Sequence, residues 1–66
     1  MNNIASERMR LGMTQQQLAD SLDVGRLTIL DIEAGRRECK TKYLCKMADM
    51  FKCTTDYLLG RTDERI

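Results

Sequence analysis

Sixty-six residues with eleven basic and ten acidic side chains carry a net charge of only +1, and a chain of this length buries only about 60% of its unfolded surface. That leaves room for one small core and no large substrate cavity. With no histidine, no glycine-rich phosphate loop and no serine placed beside a base, the composition predicts neither an enzyme nor a cofactor or metal site.

The punctuation is sparse: no proline, and glycine only at Gly12, Gly25, Gly35 and Gly60. Five short helices fit this pattern better than any arrangement of strands, and we place them near residues 2–11, 14–22, 26–34, 41–51 and 55–59. Thr14 followed by Gln17 makes a capping box that fixes the start of the second helix. Thr41 and Thr54 are candidate N-caps of the fourth and fifth. Gly35 and Gly60 stand where a helix ends in a left-handed residue. Helical spacing of apolar residues predicts a core of Ile4, Leu11, Leu18, Ala19, Leu22, Val24, Ile29, Ile32, Leu44, Met47, Ala48, Phe51, Leu58 and Leu59. Ala19 is small enough for the following helix to cross closely. The expected fold is all-α: a single compact five-helix domain over residues 1–66.

The three cysteines, Cys39, Cys45 and Cys53, match neither a paired zinc pattern nor a disulfide framework. Reduced thiols are expected. No apolar run approaches the ~18 residues of a membrane span and no charged-then-apolar leader opens the chain, so a soluble cytoplasmic protein is expected. Charge is unevenly spread: residues 36–46 carry +4, while each of the segments 1–25, 26–35 and 47–66 carries −1. Arg36, Arg37, Lys40, Lys42 and Lys46 make a basic cluster directly after the third helix, suited to phosphate.

Residues 14–34 read as two short helices joined by a tight turn, the layout of a helix-turn-helix. Met13-Thr14-Gln15, Leu18-Ala19 and Ile29-x-x-Ile32-Glu33-x-Gly35 resemble the Xre/Cro-type helix-turn-helix family of phage repressors and bacterial regulators. The closing segment Thr54-Thr55-Asp56-Tyr57-Leu58-Leu59-Gly60 resembles the Ser-x-Asp-Tyr-Leu-Leu-Gly end of many members, so the likeness covers nearly the whole chain. It implies a repressor-like fold and sequence-specific binding of double-stranded DNA by a transcriptional regulator. A dimeric repressor on a palindromic operator is expected. The resemblance also implies a salt bridge between Arg8 and Glu33, and a twofold dimer contact to which we assign Tyr57, Leu58 and Arg61. Two positions depart from the family's habit: Asp23 stands where the turn usually has glycine, and Gly25 where the cap is usually serine or threonine. Asp tolerates left-handed backbone and glycine is an acceptable N-cap.

In such a motif the second helix lies in the major groove and its outward face reads bases. With Ile29 and Ile32 inward, Arg26, Leu27, Thr28 and Asp31 are the base-reading candidates. The planar fork of Arg26 suits guanine, Leu27 a thymine methyl and Asp31 a cytosine amine. Alternatively, Asp31 holds Arg26 or another basic side chain. Gln15, Gln16, Arg36, Arg37 and Lys40 are the phosphate candidates, the glutamines because they open a helix whose dipole favours an anion. Apolar Leu27 and Leu30, together with Met13 and the low net charge, support an alternative: a protein-interaction module on the same scaffold, antitoxin-like or anti-repressor. A third possibility is the amino-terminal part of a longer regulator. No small-molecule ligand can be inferred.

Overall fold

A computed structural model of the chain describes residues 2–66. Five helices follow in order: α1 (Ile4–Arg10), α2 (Gln15–Leu22), α3 (Arg26–Glu33), α4 (Thr41–Phe51) and α5 (Thr55–Leu58). No strand occurs among the described residues, and no helix is long and apolar enough to cross a membrane.

The helix ends are written in the local sequence. Thr14 Oγ1 accepts from Gln17 N–H at 3.0 Å while the Gln17 side chain accepts from Thr14 N–H at 2.8 Å, closing the expected capping box at α2. Thr54 caps α5 by accepting from Tyr57 N–H. Thr41 does not cap α4. It is the first helical residue, and Lys40 takes the cap position with extended backbone and no side-chain hydrogen bond. At the C-terminal ends every helix leads into a left-handed residue: Gly12, Asp23, Gly35, Lys52 and Gly60. Asp23 holds this geometry at φ 58°, as its side chain allows, and Gly25 opens α3. Lys52 has the same φ without a comparable chemical excuse, and nothing in the sequence signals it.

α2 packs on α3, and α4 on α5. Leu18, Ala19, Ile29, Met47, Phe51 and Leu58 are all fully buried where these pairs meet. Two expected core residues lie outside it: Leu11 ends α1 and Leu59 ends α5, and each is about two-fifths exposed. The cause at α5 is its single turn, which can direct one of two adjacent leucines inward, and Leu58 takes that place. Val24 is half-buried against the core.

A charged residue is buried with the apolar ones. Glu7, 3% exposed, accepts hydrogen bonds from Arg10 in the next turn and from Arg65 at the far end of the chain, the latter at 2.7 Å from Nη2. Both arginines also donate to the carbonyl of Phe51, each at 2.8 Å, satisfying a carbonyl at the end of α4 that the helix cannot pair itself. Arg65 C=O accepts in turn from Thr54 N–H. The tail is thus pinned across α1, α4 and α5.

The Arg65 guanidinium holds the Glu7 carboxyl below the ordinary carboxylate range, assisted by Arg10 and against burial, which pushes it up. A depressed folded-state pKa stabilises the fold above the unfolded value and loses that contribution as pH falls through the folded one. The urea midpoint of the wild type should therefore fall as pH drops below the unperturbed glutamate value of ~4.3. Glu7→Gln should lower stability at pH 7 and flatten the acid-side slope. Equal slopes for the two proteins would remove Glu7 from the acid response.

Candidate nucleic-acid interface

α3 presents its first turn outward because its inward positions are spent on the core. Ile29 and Ile32 are buried, and Gly25 precedes the helix with extended backbone, so the chain enters from the tight turn after α2. Arg26 and Leu27 then face solvent, Leu27 with 70% of its surface exposed. Arg26 has no hydrogen-bond or ion-pair partner among the described residues, leaving its whole fork available. Thr28 is half-buried and lines a recess of about 360 Å³ with Val24, Ile32, Arg37, Glu38, Lys40 and Tyr43. α3 and the basic segment therefore share one surface. Leu30 is only half-exposed, which leaves Leu27 as the one strongly exposed leucine of α3. Met13 also packs against the core, so the apolar patch expected from Met13, Leu27 and Leu30 shrinks to a single side chain.

The far end of α3 is tied down. Arg8 Nε lies 2.8 Å from Glu33 Oε2, with side chains only 13% and 7% exposed, and Arg8 Nη1 donates to the carbonyl of Met13 at 2.8 Å. Gln15 joins this network, its amide donating to Glu33 Oε1 at 3.1 Å. Asn2 donates to the carbonyl of Ile32 at 2.8 Å. The side-chain amide of Gln15 is thereby spent on Glu33. What α2 offers an anion is its backbone: the N–H groups of Gln15 and Gln16 find no acceptor among the described residues, the usual state of a first turn. Gln16 is exposed, with its amide on Asp20 at 2.8 Å.

Arg36 and Arg37 are exposed but paired, both with Asp31. Lys40, Lys42 and Lys46 are exposed and have no carboxylate within ion-pair distance among the described residues. Lys42 and Lys46 flank a second recess with Leu22, Asp23 and Tyr43, and the Lys42 ammonium lies 5.1 Å from the Tyr43 ring. Of the residues assigned to a dimer contact, Arg61 is exposed, Tyr57 half-buried and Leu58 fully buried. Leu58 is thereby withdrawn from any contact surface, and its neighbour Leu59 is the leucine that faces out. The cysteines are free thiols, and burial pushes Cys39 and Cys53 up from the ordinary thiol range. No cluster of His, Cys, Asp or Glu able to hold a metal occurs among the described residues.

A helix-turn-helix family profile matches residues 4–58, which spans all five helices. The chain belongs to the Xre/Cro-type helix-turn-helix family. It is 32% identical over 56 residues to the HTH-type transcriptional regulator ImmR of Bacillus subtilis (strain 168), an overlap covering 85% of this chain and 44% of that protein. The chain therefore matches less than half the length of this relative. No solved structure matches. Within the matched residues, α2 and α3 form the helix-turn-helix.

Sequence reasoning missed the Gln15 contact to Glu33, the burial of Glu7 and its clasp by Arg65. The spacing of Glu7 and Arg10 was a usable signal for that ion pair. Nothing local could have brought in Arg65. If the Arg8 and Glu33 pair behaves as a buried one, Arg8→Met should cost roughly 3 kcal/mol by stranding the carboxylate, and changing Glu33 to Met as well should recover much of it. Urea unfolding of the two variants checks this. A single-variant cost under about 1 kcal/mol would mark the pair as no stronger than a surface contact.

Proposed function

We propose that the chain represses transcription as a dimer on a palindromic operator, with α3 of each copy in the major groove. The observation that carries this reading is the shared surface of α3 and the basic segment: Thr28 lines one recess with Arg37, Lys40 and Tyr43, on the helix whose first turn exposes Arg26 and Leu27. In it, Arg26 bonds guanine, Leu27 touches a thymine methyl and Thr28 serves a base or phosphate. Lys40, with Lys42 and Lys46 extending the positive face, and the opening amides of α2 hold the flanking backbone. Arg36 and Arg37 border the same strand.

Length argues for two copies. The eight residues of α3 span roughly 12 Å, enough for three or four base pairs. A dimer reads two such half-sites one helical turn apart. We assign its contact to Leu59, Tyr57 and Arg61, the first because it is an exposed leucine beside a groove that also includes Ile32, Cys39 and Arg37.

Arg26→Ala should lower affinity for the preferred site by roughly 1–3 kcal/mol and relax preference at one base pair. Lys40→Ala should instead weaken binding to all sequences alike and reduce the log–log salt slope by about one. Anisotropy titrations on the DNA upstream of the gene, together with selection from a random pool, measure both. The exposed apolar surface of Leu27 favours one other reading, a face that docks a protein. Under that reading, wild type and both variants leave the DNA anisotropy flat.

A further inference from the structure

Asp31 lies on the outer side of α3, and each of its carboxylate oxygens has an arginine as ion-pair partner. Arg36 donates from Nε to Oδ1 at 3.1 Å with Nη2 of the same fork also 3.1 Å away, and Arg37 Nη2 lies 3.7 Å from Oδ2. The backbone arranges this meeting. Gly35, at φ 78°, turns the chain out of the helix, its N–H bonding the carbonyl of Ile32. Arg36 N–H then bonds the carbonyl of Asp31 itself at 2.8 Å. This paired closure needs a left-handed residue, and it delivers Arg36 beside the Asp31 side chain whatever that side chain is.

Two groups suited to DNA are thereby occupied. The Nε and Nη2 edge of Arg36 is the edge with which an arginine grips a phosphate through two bonds, and Asp31 holds it. Of the Asp31 oxygens that would accept from a cytosine amine, Oδ1 is hydrogen-bonded to Arg36 and Oδ2 faces the Arg37 guanidinium at 3.7 Å. Lys40, Lys42 and Lys46, by contrast, stand free of carboxylates among the described residues. The basic segment thus divides into latched arginines and unlatched lysines.

Building on the DNA-binding reading above, we propose that Asp31 is a positioning residue that latches Arg36 and Arg37 in the free protein, so that phosphate must displace a carboxylate to engage them. The latch holds down binding to arbitrary sequence while leaving base choice to Arg26, Leu27 and Thr28. Because all three side chains are at least one-third exposed, the pairing is weak enough for phosphate to open.

The test is a double-mutant cycle of Asp31→Asn and Arg36→Ala, read by anisotropy on a random-sequence duplex of about 20 base pairs between roughly 50 and 200 mM salt. Asp31→Asn alone should tighten binding about three- to tenfold and steepen the salt slope by about one. Arg36→Ala should change affinity less than about twofold in the wild type, yet cost about fivefold or more and one unit of slope beside Asp31→Asn. Asp31→Glu should keep the wild-type slope. Thermal midpoints within a few degrees of one another confirm that the variants fold. An Arg36→Ala cost equal in both backgrounds overturns the latch, leaving simple repulsion between Asp31 and phosphate. A random-pool selection in which Asp31→Asn alters one base position without tightening binding to arbitrary sequence also overturns it, in favour of base reading. Wild type that binds no duplex overturns the DNA-binding reading and the latch with it, whereas a latch failure alone appears in a protein that binds.

Discussion

The carboxylate of Glu33 fixes where α3 points. Buried at the last turn of α3, it must be compensated, and its partners come from two other elements: Arg8 on α1 and Gln15 at the first residue of α2. The same arginine donates to the carbonyl of Met13 in the connection between those helices. A buried charge left without a partner is costly, so these three segments are held to one mutual geometry. The angle at which α3 leaves the body of the domain, and hence the direction of Arg26 and Leu27 at its other end, follows from that constraint.

Ala19 makes the arrangement possible from the core side. It is fully buried on α2, the helix against which α3 packs, and its small side chain suits a close crossing, while Ile29 and Ile32 are the buried residues of α3. A second buried carboxylate works on another part of the domain. Glu7 gathers Arg10 and Arg65, and both guanidiniums continue to the carbonyl that ends α4. Acidic side chains therefore organise basic ones in three places, around Glu33, Glu7 and Asp31. This gives the near-neutral net charge a structural meaning: much of the arginine charge is consumed internally, while the lysines of the basic segment and Arg26 remain for solvent or a ligand.

What the sequence made legible was local or periodic. The capping box at Thr14, the N-cap at Thr54 and the inward run of Leu18, Ala19, Leu22, Ile29 and Ile32 depend on neighbours within a turn or two, and the structure reproduces them. Adjacent leucines at 58 and 59 were ambiguous because a one-turn helix carries too little periodicity to say which one faces inward. Thr41 looked like a cap because its residue type suits the role, but the helix begins one position earlier than that role requires. Contacts between distant residues were invisible except where family resemblance supplied them. Arg65 reaching Glu7 depends on how a tail crosses three helices, and Gln15 turning inward to Glu33 depends on a charge that only the folded chain brings near. Of the candidate reading residues, Arg26 and Leu27 were placed by the inward positions of Ile29 and Ile32. That Asp31 holds a basic side chain was one of the alternatives the sequence offered, but its partners, Arg36 and Arg37, emerged only with the backbone reversal at Gly35.

The central claim is that the outer face of α3 and the basic segment beside it form one DNA-binding surface. Amide chemical-shift mapping of the labelled chain titrated with the duplex upstream of its gene examines that surface directly. The account predicts the largest changes at residues 15–16, 26–31 and 36–46, with the clasp formed by Glu7, Arg10 and Arg65 left undisturbed. Changes centred on that clasp and the tail, with residues 26–31 silent while the duplex is bound, would contradict it.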